Sequence, residues 1–557
     1  MKSTGIYIKA NSASKTAALF LAVLLAAALA CGCGAGAADE PVKDTEPVIL
    51  PTPAPSPLPV SGGLIRMPMP GNADILDPLR VNTQEMQYFF SLIYEGLTAL
   101  DNNARLVPCI AENWSCDETG RIWTFKLRSS ARWHDTGESV KASDAVQSYE
   151  RILSIIAGGE SCFYSYAASL VESMEALDES TLVITMNQPG LSPLVAMYFP
   201  IMRDGAASTG KPVGTGPYKT ALVTNDLVVL DANGNWWKQR PYIDRVSFYA
   251  RDNNEISIAS YTAGQLDLVA TSSVSVGRYR EEGVTKIIDY LTQTAETLII
   301  NYNNPHVADI NVRRAIAHAI NRGRIITNVY MNRAQACDVP IAPDSWLYES
   351  KSKVYEYSES LAVSLLSQAG WDDIDGDGFV EKDGSRSQEL KLRLLVNESA
   401  DATRRSAADM IAAQLGAIGI QVEIITAPYS LEQDENAYMN MLAKGEFDIA
   451  LAGFNLPRNG DIRPYISQNG ARNYGRYSNA ALIQLAENML AARDEADYRD
   501  AASTLQLTFV QELPFIMLYF RSNSLLCSAK IGGISNVRGP DILRGIDKWY
   551  IEKDRSG

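Results

Sequence analysis

Histidine is almost absent from this chain, with three in 557 residues. A site for nickel or zinc ordinarily gathers several imidazoles, and His134, His306 and His318 fall in a turn, a loop and a helix, so a metal receptor is disfavoured. Cysteine is scarce too. Beyond the N-terminal segment only Cys109, Cys116, Cys162, Cys337 and Cys527 remain. The number is odd and none stands in a CxxC spacing, which argues against zinc. Cys109 and Cys116 either bridge across a hairpin or stay as half-buried thiols. Positive charge is in deficit, with 50 Lys and Arg against 65 Asp and Glu and a formal charge of -15. Counterion release needs a basic patch, so this acidic balance disfavours nucleic acid and anionic lipid as partners, and no nucleic acid is expected. Hydrolase signatures are missing: there is no GxSxG elbow and no Cys and His pairing, so no catalytic residue is assigned and an enzyme is not expected. No long apolar run follows residue 30, whereas a spanning helix needs about 20 apolar residues.

The apolar run that does exist lies at the start. Lys2, Lys9 and Lys15 precede an unbroken stretch from Ala17 to Ala30, the layout of a signal peptide at 1–30. It ends at ALACGCG, as in bacterial lipoprotein signals, where the cysteine is acylated, palmitate being one such chain. Cys31 is the expected lipidation site, with Cys33 as the alternative. Residues 31–61, containing PTPAPSPLPV, cannot bury enough surface to fold and form a Pro-rich, lipid-anchored tether. The expected location is the extracellular face of the cytoplasmic membrane.

At 557 residues the chain exceeds the roughly 250–300 at which single cores stop growing. Strand and helix patterns alternate without a fixed repeat, an α/β chain. Ile122 to Arg128 alternates Trp123, Phe125 and Leu127 with polar neighbours, a strand with one buried face. Asp117 to Gly120 is turn material, so NWS pairs back as a hairpin. Ser143 or Asp144 caps a helix carrying Val146, Tyr149, Ile152 and Leu153. Asp309 caps another with Val312, Ile316, Ala319 and Ile320 on one stripe. Helices are expected at 408–416, 480–492 and 497–512, and a strand at 420–426.

Three motifs tempt and fail. GAASTGKP (205–212) ends in Pro where a phosphate loop needs Ser or Thr. DIDGDGFVEKDG starts like a calcium loop at Asp373, Asp375, Asp377 and Gly378, but its twelfth residue is Gly384 rather than Glu. It reads either as a polar turn or as a calcium site completed by Glu381 and Asp383. Gly214-Thr215-Gly216-Pro217-Tyr218 is a tight turn entering a strand, its glycines supplying unusual backbone angles. Tyr218 is there for packing or for a ligand.

The order of elements over 108–153 closely resembles family-five extracellular solute-binding proteins, the receptors of peptide and nickel ABC importers. The matching residues are Pro108, Ala111, Glu112, Trp114, Phe125, Leu127, Arg128, His134, Asp135, Gly137, Ala142, Asp144 and Val146, with Thr136 inserted. The resemblance runs on through GTGPYK (214–219), WWKQRPYIDRVSFY (236–249), DINVRRAIAHAINRGRII (309–326), FDIALAGF (447–454) and LPFIMLY (513–519). It implies a two-lobed clamshell of the periplasmic-binding-protein type, class II with three domains. The divisions are lobe I at 62–98, 207–295 and 515–557, an inserted domain II at 99–206, and lobe III at 296–514.

The resemblance further implies capture of a short peptide or other solute, delivery to an ABC permease with its ATPase subunits, no cofactor, and a monomer. A receptor for an oligosaccharide or modified peptide, or a sensory or adhesive lipoprotein, is the alternative. Ligand contacts carried over from the family fall on Val81, Asn82 and Thr83, on Tyr164 and Tyr218, and on Gly453, Phe454 and Asn455. The aspartate that meets the peptide ammonium in those receptors is replaced by Pro457, with Arg458 beside it. Asp461 is the nearby carboxylate able to substitute; otherwise Arg458 or Arg463 meets a carboxylate.

Overall fold

The computed structural model describes residues 59–69, 76–80, 84–160, 162–203, 211–382, 388–398, 402–428, 436–539 and 541–552. The expected signal, all but the last three residues of the expected tether with Cys31 and Cys33, Val81–Thr83, Asp383, Gly384 and most of GAASTGKP lie outside them. Three sheets organise the body, residues 57–557.

One sheet pairs Leu64–Pro68 in parallel with Arg245–Tyr249, which continues antiparallel to Leu227–Ala232 and Tyr218–Val223. A second is antiparallel, in the order Ala111–Cys116, Ile122–Leu127, Thr181–Met186, Val171–Ala176. Its hairpin is the expected one, with Trp114 opposite Phe125 and Cys116 opposite Trp123. Trp123, Phe125 and Leu127 are buried while Ile122 is 41% exposed, as the two-residue period requires. Cys109 precedes the first strand instead of facing Cys116 across the turn, and all five of these cysteines are free thiols. The helix Ala142–Ala157 covers this sheet, burying Tyr149 and Ile152. It begins one residue before Ser143: Lys141 is the N-cap, and Asp144 accepts from the Lys141 amide at 2.8 Å. Asp144 thus bonds backward from the first turn instead of capping.

The third and largest sheet runs Leu268–Thr271, Ile516–Ser528, Thr285–Ile300, Ile449–Asn455, Lys391–Glu398, Gln421–Pro428. Its last three strands are parallel; Ile449 to Ala452 is a buried run, while Gln421–Pro428 at the edge is mostly half-buried or exposed. The crossover between Lys391–Glu398 and Gln421–Pro428 is the helix Ala402–Gly416, which buries Ala407, Ala408, Ile411 and Leu415. Asp309 caps its helix as expected, accepting from Asn311 at 2.8 Å. Thr285–Ile300 is the spine: its first half pairs with Ser522–Ser528, its second with both Ile516–Phe520 and Ile449–Asn455. The pairing slips between Leu291 and Ala295 and again between Glu296 and Thr297, so the ribbon bends in the middle. Just past the bend, Glu296 is fully buried and pairs with Arg404 at 2.8 Å. Among the described residues no helix is long and apolar enough to cross a membrane.

A candidate ligand cavity between the sheets

A cavity of about 590 Å³ opens where loops from all three sheets meet. That lies within the roughly 300–1,000 Å³ that encloses small-molecule ligands. One side comes from the segment after the helix Gln84–Phe90, from Phe163 to Ala167 and from Trp236 to Lys238. The other comes from the end of the strand Ile449–Asn455 and the loop after it, with Arg472 and Gln293. Asp541 to Asp547 complete the rim.

The first side is fixed by close backbone approach. Gly216 N donates to Ile93 O at 2.9 Å and Tyr218 N to Leu92 O at 2.9 Å. A Cβ on Gly214 would stand 2.0 Å from Ile93 O, and one on Gly216 2.6 Å from Leu92 O. Neither glycine has positive φ, so the GTGPY motif needs glycine for contact distance, not for unusual angles. His134 locks the same turn. Gly214 N donates to its Nδ1 at 3.4 Å and its Nε2 donates to Gly216 O at 3.0 Å. Burial pushes the ring's pKa down to about 4, so it is neutral.

Glu95 closes the base of this wall. Its carboxyl group accepts from the Trp237 indole at 2.9 Å, from Trp236 at 3.2 Å and from Thr215 Oγ1 at 3.0 Å, with the Cys109 thiol 3.7 Å away. Burial raises its pKa while Lys238 and these donors oppose the rise. Aromatic rings line the space beyond: Tyr164 packs edge-on against Phe163 at 5.7 Å and Tyr198 at 6.0 Å.

The opposite wall is cationic. Arg458 is partly buried, donates to Gly539 O at 3.1 Å, and makes no ion pair among the described residues. Desolvation lowers its pKa to about 10, with Arg538 and Arg544 adding repulsion that Tyr198 and Asp541 oppose. The two walls are stitched together: Asn459 donates to Ser192 Oγ at 2.9 Å and to Tyr166 at 3.3 Å, Arg463 to Gln188 at 3.1 Å, and Leu191 N to Ala492 O at 2.7 Å.

Of the residues expected at the ligand, Tyr164 and Asn455 line the cavity. Tyr218 is fully buried, its hydroxyl bonded to Ile243 O at 3.2 Å. Gly453 packs against the Arg404 and Glu296 pair, and Phe454 is buried against Tyr465. Asp461 holds its own cation, a two-pronged pair with Arg463 at 2.9 and 2.8 Å, and is absent from the lining. Sequence reasoning missed Glu95, Trp236, Asp541 and Asp547, although the WWK run carried a visible aromatic signal. In the acidic turn, Asp373, Asp375 and Asp377 bring oxygens within 4.8 Å of one another. Asp373 accepts from Gly376 and Gly378 at 2.9 and 3.1 Å, the bonding of a turn.

Sheets on either side of a two-strand ribbon with slipped pairing, and a cavity of ligand size walled by their loops, are the architecture of a ligand receptor. The profile described as "Bacterial extracellular solute-binding proteins, family 5 Middle" matches residues 105–474, so the chain belongs to that family of importer receptors. It is 24% identical over 487 residues to the oligopeptide-binding protein AppA of Bacillus subtilis, covering 83% of this chain and 87% of that one. To the nickel-binding periplasmic protein of Escherichia coli it is 25% identical over 384 residues, 64% of this chain and 70% of that one. The crystal structure of a nickel ABC transporter protein from Bacillus halodurans superposes with a TM-score of 0.73 at 21% identity, covering 85% of this chain and 96% of that one. The fold is therefore of the periplasmic-binding-protein type.

Proposed function

We propose that this protein is the lipid-anchored receptor of an ABC importer on the outer face of the cytoplasmic membrane, capturing a short peptide and passing it unaltered to the permease. The carrying observation is the cavity of about 590 Å³ walled by segments far apart in sequence that are joined by bonds such as Asn459 to Ser192. A ligand bonded to both walls is released when the walls separate, which is a hinge motion. The bend at Leu291–Ala295 is where the ribbon joining lobe I to lobe III yields, the inserted domain II moving with lobe I. Ligand drives closure by binding the closed form more tightly. The similarity to AppA and the shortage of imidazoles both favour peptide over metal. Cys31, or Cys33, bears the lipid, and the monomer acts alone.

The test is mass spectrometry of what copurifies with the protein, followed by small-angle scattering with and without that compound. An intact peptide and a fall in radius of gyration are expected. A profile unchanged by every candidate solute, or a solute recovered cleaved, refutes the reading.

A further inference from the structure

The charges around the cavity do not balance. Among its described lining residues the cations are Lys238, Arg458, Arg472 and Arg544, and the acids are Glu95, Asp541 and Asp547. Two of the acids are already committed. Asp541 lies 3.5 Å from Arg544, and Glu95 is surrounded by indole, hydroxyl and thiol donors. On the wall after the strand Ile449–Asn455 neither Arg458 nor Arg472 has a carboxylate partner among the described residues. Arg458 spends one N–H on Gly539 O, and Arg472 reaches the Tyr465 hydroxyl at 3.3 Å. The carboxylate closest in sequence, Asp461, is neutralised by Arg463.

Leaving a guanidinium partly desolvated without a counter-ion is costly, and a protein with a formal charge of -15 has no shortage of carboxylates to supply one. The planar fork of arginine matches a carboxylate with two parallel bonds. Tyr198 and Asp541 favour the Arg458 charge while Arg538 and Arg544 oppose it, but neither Tyr198 nor Asp541 forms an ion pair with Arg458, and Asp541 lies against Arg544.

Resting on the reading of the cavity as a peptide site, we propose that the bound ligand is held by its carboxylate, seated on Arg458 with Arg472 beside it, and that its amino group is not the anchor. The chemical class is a peptide presenting a free C-terminal carboxylate to this wall, with its amino end tolerant of blocking.

The experiment uses the mature chain and a pool of two- to four-residue peptides built only from glycine, alanine, serine and leucine, so that no side chain carries charge. The pool is supplied free, N-acetylated and C-amidated, and retention is read by native mass spectrometry. Wild type is expected to retain the free and acetylated pools about equally and the amidated pool at least tenfold more weakly. Arg458→Gln is expected to bring the first two down to the amidated level without changing the third, and Arg458→Lys to restore part of the loss. Ligand-free melting curves of both variants confirm that they are folded. Equal retention of free and amidated pools, or a dependence on the free amine, overturns the carboxylate anchor and leaves the peptide reading standing. Retention of none of the three pools by wild type overturns the peptide reading together with this inference.

Discussion

Acid should unfold this protein partly through one histidine. His134 sits between Gly214 and Gly216 with both ring nitrogens in use, and burial holds its pKa at about 4 against an ordinary 6.5. Between those values the unfolded chain carries a proton that the folded site refuses. The unfolded state therefore binds more protons, and stability falls as the pH drops from 6.5 toward 4, with the penalty absent above that window. At 1.36 kcal/mol per pH unit the loss reaches about 3 kcal/mol at pH 4. His134→Gln preserves a donor and an acceptor but cannot titrate. It should be less stable than wild type at pH 7, by about 1–2 kcal/mol for the altered packing. The gap should close or reverse by pH 4. Urea unfolding of both proteins at half-unit steps from pH 7.5 to 4 measures the difference directly. Because the chain has only three histidines, NMR titration of the ring protons identifies His134 without ambiguity. Parallel stability curves for the two proteins, or a His134 ring titrating near 6.5, would refute the reasoning.

Other expectations follow from the same contacts. Arg404→Met leaves the fully buried Glu296 carboxylate short of its closest cation, and should cost about 3–5 kcal/mol in urea unfolding at neutral pH. Glu95→Ala strands two indole N–H groups and a hydroxyl; calorimetry should register a loss of about 2–4 kcal/mol. Gly214→Ala forces a methyl group to within 2.0 Å of Ile93 O, so a drop of about 1–3 kcal/mol or more is expected from overpacking, seen as a lower melting temperature. Asn459→Ala removes buried bonds to Ser192, Tyr166 and the Asp461 amide; urea unfolding should register a loss of about 1–3 kcal/mol, and the ligand off-rate should rise several-fold in stopped-flow fluorescence.

Much of the local structure is legible in the sequence. The 122–127 strand and its hairpin partner appear because a two-residue period and a turn cluster suffice to specify them. The helix capped by Asp309 appears because a cap and an apolar stripe are local signals. Boundaries drift where capping is subtle: the helix at 402–416 starts six residues before the expected 408, since its first turn, ATRR, carries no apolar stripe. The GTGPY glycines were read for their angles, and their purpose proved to be contact with Leu92 and Ile93, more than 120 residues earlier in the chain. Of the expected ligand residues, Tyr164 and Asn455 meet at the cavity while Tyr218 and Asp461 turn to internal partners. Nothing in a run of letters distinguishes an aspartate facing a cleft from one already paired two residues away.

What the sequence by itself determined is the alternation of strands and helices, the family and the acidic surface. Each follows from nearest-neighbour periodicity or from composition. Only the tertiary structure decided the site: it set Glu95 against Trp236 and Trp237, joined the cavity walls with Asn459 on Ser192, and left Arg458 without an ion pair among the described residues while giving one to Arg463. The Glu95 and Asn459 contacts depend on segments 141 to 267 residues apart coming into hydrogen-bond range, and Asp461 turns to Arg463 only because the folded loop brings the two side chains together. Charge pairing at that range is set by packing, which no local pattern encodes.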